Sequence, residues 1–442
     1  MEKNTVKDID LKGKLVFVRC DFNVPLKEDG SIADTTRIDS ALPTIQYLQA
    51  QGAKVILASH LGRPKGEFKE EFSMKPVAKS LSEKLNSDVK LSQDVTGPSA
   101  RAIAEELKEG EIELLENLRF DPREEANDAE FCQELAHLGG GVEVYVNDAF
   151  GTAHRAHSST EGITKYVEGD KVAGLLMQKE IENLGAVLEN PEKPFVAILG
   201  GAKVSDKIGV IENLMNKVNT IVIGGAMANT FLKAKGYEIG DSKYEQEKVE
   251  QAKEIMKKAF DTGIEIVLPT DGHIVKVSLD EKLTPETVEN AEDKTVIVEA
   301  GIPAGWQMLD VGEQTLDNFY EVITKAKTIV WNGPLGYTEA QKCLKGTKTV
   351  ANIISNTKAK CVVGGGDSGA AMKKVEKENG EPFENIYIST GGGASLEFLE
   401  GKQLPGIACL DNKQAEREVT TSNSATGGKV QANKQEQSQI VD

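Results

Sequence analysis

Two rhythms of apolar and polar positions alternate along this chain. Short β-branched and apolar runs recur at Leu15–Val18, Val55–Ala58, Glu113–Leu115 and Val144–Val146. They return at Phe195–Leu199, Ile221–Ile223, Ile264–Leu268, Thr328–Trp331, Cys361–Val363 and Ile386–Ser389. Between them lie stretches such as Met74–Leu85 and Glu245–Ala259, with helical spacing and charged outer faces. Strands alternating with helices predict βαβ units and parallel sheets. Gly174–Val187 reads as a helix, with Leu175, Leu176, Ile181, Leu184 and Val187 apolar, and Asn190-Pro191-Glu192-Lys193-Pro194 stops it. We read it as a connector. The expected divisions are a first lobe over 1–173, a connecting helix over 174–190 and a second lobe over 191–393. From about Asp411 the chain turns polar, with Thr, Ser, Asn, Gln and a Gly pair. A segment of that kind cannot bury a core, so 412–442 is expected to be a disordered tail.

Composition narrows the class. Of 442 residues, 39% are hydrophobic, enough for sizeable cores. No apolar run approaches the roughly 18 residues of a membrane helix, and no apolar signal region follows Met1. Five scattered cysteines form no CxxC pair, which favours reduced thiols in a cytoplasmic setting. His154 and His157 have no third ligand nearby, so they do not read as a zinc site. The net charge of −18 argues against nucleic acid as a partner.

An acidic protein that handles anions must concentrate its positive charge locally. Seven of the eight arginines fall early, at positions 19, 37, 63, 101, 119, 123 and 155, and the eighth is Arg417. Drift in Arg/Lys usage explains such a distribution equally well. Position adds more. Parallel sheets bind ligands at the carboxyl ends of their strands. After the first run comes Asp21-Phe22-Asn23-Val24-Pro25, then Arg37. After the second, third and fourth come His60-Leu61-Gly62-Arg63, Asn117-Leu118-Arg119 and His154-Arg155-Ala156-His157. Adjacent strands lie about 4.8 Å apart, so arginines at equivalent strand ends are expected to converge on one cleft. A guanidinium fork suits carboxylate and phosphate.

In the second lobe the strand ends carry glycine instead: Gly200-Gly201-Ala202-Lys203, Gly224-Gly225, Asn332-Gly333-Pro334-Leu335-Gly336, Gly364-Gly365-Gly366-Asp367-Ser368 and Thr390-Gly391-Gly392-Gly393. Glycine lets backbone N–H groups approach an anion, and a helix start adds about half a positive charge. Lys203 and Lys207 are expected one helical turn apart, facing one phosphate chain. Asp367 suits Mg²⁺, which takes one or two carboxylates plus phosphate oxygens. For any single loop, glycine as a mere permit for a tight turn explains the sequence better. No GxxxxGK[ST] is present. Gly364, Gly366 and Gly369 fit GxGxxG, but the next strand ends Ser389-Thr390 rather than in an acid that would hold a ribose.

Together these motifs resemble phosphoglycerate kinases from about Lys12 to Asp411. The resemblance rests on VRCDFNVP, ASHLGRPKG, ENLRF, NDAFGTAHRAHSS, LGGAKVSDK, WNGPLG, GGGDS and STGGGASLEFLEGKQLPG. It implies two Rossmann-like lobes joined by a connecting helix and a hinge, in a monomer, with 394–411 packing back on the first lobe. It implies Mg²⁺-dependent phosphoryl transfer between 1,3-bisphosphoglycerate and ADP, giving 3-phosphoglycerate and ATP. It implies that Asp21, Asn23, Arg37, His60, Arg63, Arg119 and Arg155 hold the phosphoglycerate. Gly201, Lys203, Lys207, Gly225, Asn332, Pro334, Glu339, Gly365, Gly366, Asp367 and Ser368 would serve the nucleotide and its metal. Arg37 and Lys203 would stabilise the transition state. One departure stands beside the nucleotide: Tyr337-Thr338 where the family usually has Val-Phe. The tail after Asp411 has no place in the common pattern.

The chemistry agrees with cations in place of an acid–base pair. In the ATP-consuming direction the nucleophile is a carboxylate, already ionised at neutral pH. Catalysis then rests on positioning and charge stabilisation. The rival readings are a nicotinamide-dependent dehydrogenase using the GxGxxG loop and a non-catalytic scaffold of the same fold.

Overall fold

The computed structural model describes residues 2–413. The expected tail therefore lies outside the described residues from Gln414 on, as does Arg417.

Six parallel strands form the first sheet: β1 Leu15–Arg19, β2 Lys54–Ala58, β3 Val89–Leu91, β4 Ile112–Leu114, β5 Val144–Asn147 and β6 Asp170–Ala173. Their order is β3-β4-β2-β1-β5-β6. Leu15 and Phe17 enter one core while Val16 and Val18 enter the other, so β1 is apolar on both faces. This is why its sequence reads as an unbroken apolar run rather than an alternation. Helices cover both faces. Chain order leaves β1 towards β2 and later returns to its other side at β5. The switch point of the sheet is thus between β1 and β5.

The second lobe repeats the plan with β7 Phe195–Leu199, β8 Thr220–Ile223, β9 Glu265–Val267, β13 Thr328–Asn332, β14 Lys360–Gly364 and β15 Ile386–Ile388. The order is β15-β14-β13-β7-β8-β9, all parallel, and the switch point lies between β7 and β13. Two parallel-sheet α/β lobes are the architecture that the periodicity predicts.

One element was not predicted. Strands β10 Asp271–Val275, β11 Asp293–Ile297 and β12 Gln307–Val311 form a separate antiparallel sheet in the order β11-β10-β12. Their sequences explain the miss: Asp293–Ile297 is largely exposed, and Asp271-Gly272 opens β10 with turn-like residues. Short β3 and β6 also carry too few apolar residues to stand out. No helix among the described residues is long and apolar enough to cross a membrane.

The connecting helix runs Leu175–Glu189, slightly beyond the predicted Val187. Its first N–H groups lack intrahelical partners. Asp148, just after β5, supplies one: its Oδ1 accepts from Leu176 N–H at 3.0 Å and Met177 N–H at 3.1 Å. Met177, Leu184 and Val187 join an apolar cluster that includes residues of both sheets. After β15 the chain returns to the first sheet. Asn147 Nδ2 donates to Gly406 O at 2.8 Å, and Gly406 N–H donates to Ala153 O at 2.8 Å. Near the chain start, Lys3 Nζ donates to Leu410 O at 2.7 Å and Asn412 Oδ1 at 2.8 Å.

Candidate active site

The strand ends of the first sheet meet in a cleft of about 690 Å³. The sheet order explains the meeting. Strands β4, β2, β1 and β5 are consecutive neighbours, and they carry Arg119, Arg63, Asp21 with Asn23, and Arg155. Arg37 reaches the same cleft from the first turn of the helix Thr36–Ala50. All seven first-lobe residues named from sequence line this one cavity. Thr390–Gly393, from the returning chain, form its remaining wall.

Each side chain is held by neighbours. Arg37 pairs with Asp21. Asn23 Oδ1 accepts from Gly62 N–H at 2.8 Å, tying the loop after β1 to the loop after β2. Arg119 donates through Nη1 to Gly62 O at 3.1 Å, and its Nη2 lies 3.5 Å from Glu125. Arg155 Nε lies 3.2 Å from His154 Nε2. Burial and then the field of Arg19 hold the His60 imidazole well below its ordinary range. It is therefore neutral. Its Nδ1 lies 3.1 Å from Arg19 Nη2, which can only donate, so Nδ1 accepts and the ring proton sits on Nε2. Burial, again with Arg19, lowers His157 to about 4.

Arg19, Ser159 and Glu124 are residues that sequence reasoning did not assign. Arg19 is the last residue of β1 and is 1% exposed. Its Nε donates to Ser159 Oγ at 2.8 Å, and Ser159 in turn donates to the buried Glu124. A guanidinium ending a wholly apolar strand was the available signal, because a buried charge needs partners.

The second-lobe residues are arranged differently. The loops after β7, β8 and β13 pack on one another. Gly200 N–H donates to Asn332 O at 3.0 Å, Gly201 N–H to Pro334 O at 2.8 Å and Gly225 N–H to Leu335 O at 3.0 Å. At Gly201 and Gly225, then, the backbone donors already have protein acceptors. At these two positions the tight-turn explanation of glycine is therefore the one that the hydrogen bonds favour. Gly225 has φ +68°, and a Cβ there would lie 2.6 Å from Gly201 N and O. Close loop contact requires this glycine.

Lys207 also departs from expectation. It caps the helix Ile208–Leu214, and residues 201–206 are not helical. The helical-turn relation between Lys203 and Lys207 therefore does not hold. Lys207 is buried and donates to Asn332 Oδ1, while Lys203 is exposed. Burial lowers the Lys207 ammonium below its usual range.

Gly365, with φ +90°, turns the chain from β14 into the helix Gly366–Asn379. Gly366 and Asp367 stand exposed in its first turn, whose N–H groups carry the positive end of the helix dipole. Ser368 is buried: its hydroxyl donates to Gly364 O and accepts from Gly333 N–H at 3.4 Å. Glu339 is exposed in the loop that follows Tyr337, whose own N–H donates to Leu309 O at 2.7 Å. Among the described residues no three His, Cys, Asp or Glu side chains cluster as a metal site. A single carboxylate such as Asp367 fits a hard cation whose other ligands are phosphate oxygens. A concavity of about 770 Å³ between β9 and the helix Glu313–Ile323 contains none of the sequence-predicted residues.

Glu180 joins the two regions. Helical spacing with Met177 and Leu184 puts it on the buried face of the connecting helix. Its Oε1 accepts from Thr390 N–H at 2.8 Å and Thr390 Oγ at 3.0 Å, and its Oε2 from Ser389 Oγ at 2.7 Å. A carboxylate on the apolar face was the missed signal. Its partners lie more than 200 residues away and were not visible.

Residues 6–402 match the family model described as phosphoglycerate kinase. A phosphoglycerate kinase of Clostridium botulinum is 51% identical over 412 residues, covering 93% of this chain and 99% of that one. One of Pelotomaculum thermopropionicum is 48% identical over 413 residues, covering 93% of this chain and 100% of that one. The solved structure of phosphoglycerate kinase from Coxiella burnetii superposes with a TM-score of 0.80 at 39% identity, covering 92% and 98%. That from Pyrococcus horikoshii gives 0.75 at 33%, covering 92% and 98%.

Proposed function

The chain belongs to the phosphoglycerate kinase family, and from that premise we propose how its residues divide the reaction. The enzyme transfers a phosphoryl group between 1,3-bisphosphoglycerate and ADP, giving 3-phosphoglycerate and ATP. Its first-lobe cleft takes the phosphoglycerate through Asp21, Asn23, Arg37, His60, Arg63, Arg119 and Arg155. The single observation that carries this reading is the meeting of four neighbouring strand ends in one cationic cavity. The glycine loops and the start of the helix Gly366–Asn379 take the nucleotide, with Lys203, Lys207, Asn332 and Glu339 beside it. Asp367 would hold Mg²⁺, which when bound neutralises phosphate charge. The working lobes are 1–173 with 394–411, and 191–393, joined by 174–190. The protein acts as a cytoplasmic monomer.

In the ATP-consuming direction the nucleophile is the carboxylate of 3-phosphoglycerate, so no side chain has to remove a proton. Neutral His60 offers its Nε2–H as a donor without adding charge. Arg37 and Lys203 stabilise the phosphoryl group in flight, one from each lobe. Alignment of this kind contributes about 7–11 kcal/mol. The reacting atoms must approach within about 3 Å, so the lobes close about the connecting helix and exclude water.

Purified full-length protein with 3-phosphoglycerate and MgATP, coupled to consumption of 1,3-bisphosphoglycerate, tests the reading. Turnover requiring both substrates is expected, and a folded protein without turnover rejects it. For the metal, Asp367→Asn should raise the Mg²⁺ concentration needed for half-maximal rate about tenfold. An unchanged Mg²⁺ titration rejects Asp367 as ligand.

A further inference from the structure

Lys65 lies within ASHLGRPKG but has no role implied by the resemblance. Lys65 lines the cleft between Pro64 and Gly66, is exposed, and has φ +64°. Left-handed backbone disfavours a lysine and suits glycine or asparagine. The loop imposes it. Gly66 N–H donates to Arg119 O at 3.1 Å, and Gly66 packs so closely on Pro122 that a Cβ would lie 2.7 Å from the proline side chain. At the other end, Gly62 is tied to Asn23 and Arg119. Buried Pro64 fixes its own φ between the two anchors. Local propensity does not account for a lysine here. Strained backbone of this kind clusters at functional sites.

Charge supplies the second observation. The cleft is lined by five cations, Arg37, Arg63, Lys65, Arg119 and Arg155, and two carboxylates, Asp21 and Glu125. Burial favours the neutral form of both His60 and His154. Three positive charges remain unbalanced. Asp21 already pairs with Arg37, and Glu125 lies beside Arg119. Arg63 and Lys65 have no ion pair or hydrogen bond to their charged ends among the described residues. 3-Phosphoglycerate carries between about −2.5 and −3 at neutral pH. Without Lys65 the cleft would fall short of that charge.

We propose that Lys65 is a further substrate-binding residue, whose ammonium pairs with an anionic oxygen of phosphoglycerate at the rim of the first-lobe cleft. The anchored loop fixes the Lys65 backbone at the cleft rim in advance, so little backbone ordering remains to be done on binding. As a compact charge on a flexible stem it serves affinity more than geometry. The proposal rests on the reading of the cleft as the phosphoglycerate site.

Steady-state kinetics of the full chain, varying 3-phosphoglycerate and MgATP separately, test it. Asparagine tolerates the left-handed conformation, so Lys65→Asn removes the charge and keeps the turn. KM for 3-phosphoglycerate should rise about five- to tenfold, with kcat and KM for MgATP within about twofold. Lys65→Arg should restore KM, and added salt should narrow the gap between wild type and Lys65→Asn. Lys65→Gly, also suited to φ +64°, repeats the measurement if the first variant folds poorly. Arg119→Ala is the reference for the cleft itself. If it raises KM while Lys65→Asn and Lys65→Gly do not, Lys65 is excluded and the cleft reading stands. If none of them moves KM, the cleft reading fails as well. A raised KM that Lys65→Arg leaves uncorrected also overturns the proposal, because charge is then not the cause.

Discussion

The two lobes share a sheet plan but present different chemistry at the strand ends. In the first lobe the loops present long charged side chains to a common cleft. In the second they present glycines, and the N–H groups of Gly200, Gly201 and Gly225 are taken by carbonyls at the end of β13 and in the loop after it. A guanidinium can be assigned a task from its type and position. A backbone N–H can be assigned one only when its acceptor is known, since every residue but proline carries one.

Arg37→Ala is the strongest way to break this comparison. If the first lobe acts through charged side chains, kcat should fall by two decades or more, with a smaller effect on nucleotide binding. That corresponds to about 3 kcal/mol of transition-state stabilisation. Near wild-type turnover in steady-state assays rejects the role.

Gly225→Ala addresses the other side. The new methyl would meet the Gly201 backbone at 2.6 Å and Pro334 O at 2.8 Å, at φ +68°. Left-handed strain plus overpacking should cost about 2–4 kcal/mol, read by urea or thermal unfolding. KM for 3-phosphoglycerate should not change. Full stability with lost nucleotide affinity would instead make Gly225 a ligand-approach glycine and erase the contrast.

The smallest effect concerns pH. Asp310, 4% exposed, ends its Oδ2 on Gly346 N–H at 2.8 Å, and a Cβ at Gly336 or Gly346 would strike its carboxylate. Burial raises this carboxyl to about 7. The folded pKa is above the unfolded one, so its contribution is fully present below about pH 4 and is lost as pH rises through 7. Between pH 6 and 8 this group should remove about 1 kcal/mol of stability. Asp310→Asn should flatten the stability–pH slope by that amount. An unchanged slope in urea titrations at the two pH values would contradict it.

Much of the fold was legible because parallel strands buried on both faces read as continuous apolar runs, and the helices between them keep a clear 3.6 period. The antiparallel sheet was not legible, because Asp293–Ile297 carries few apolar residues and is largely exposed. The first-lobe candidates were legible as polar and charged residues at successive strand ends. Lys203 and Lys207 were misread: a spacing of four implies one face only inside a helix, and the helix starts after Lys207.

By itself, then, the sequence determined the α/β class, the lobe connector, the cationic strand ends and the family resemblance. All of these depend on residue type and local period. The tertiary structure alone decided which strand ends are neighbours, which glycine donors are already taken, and that Glu180 meets Ser389 and Thr390. It also decided that Lys65 sits in left-handed backbone at the rim of the cleft. Those facts join residues far apart in the chain, and pairings of that range are set by packing rather than by any local pattern.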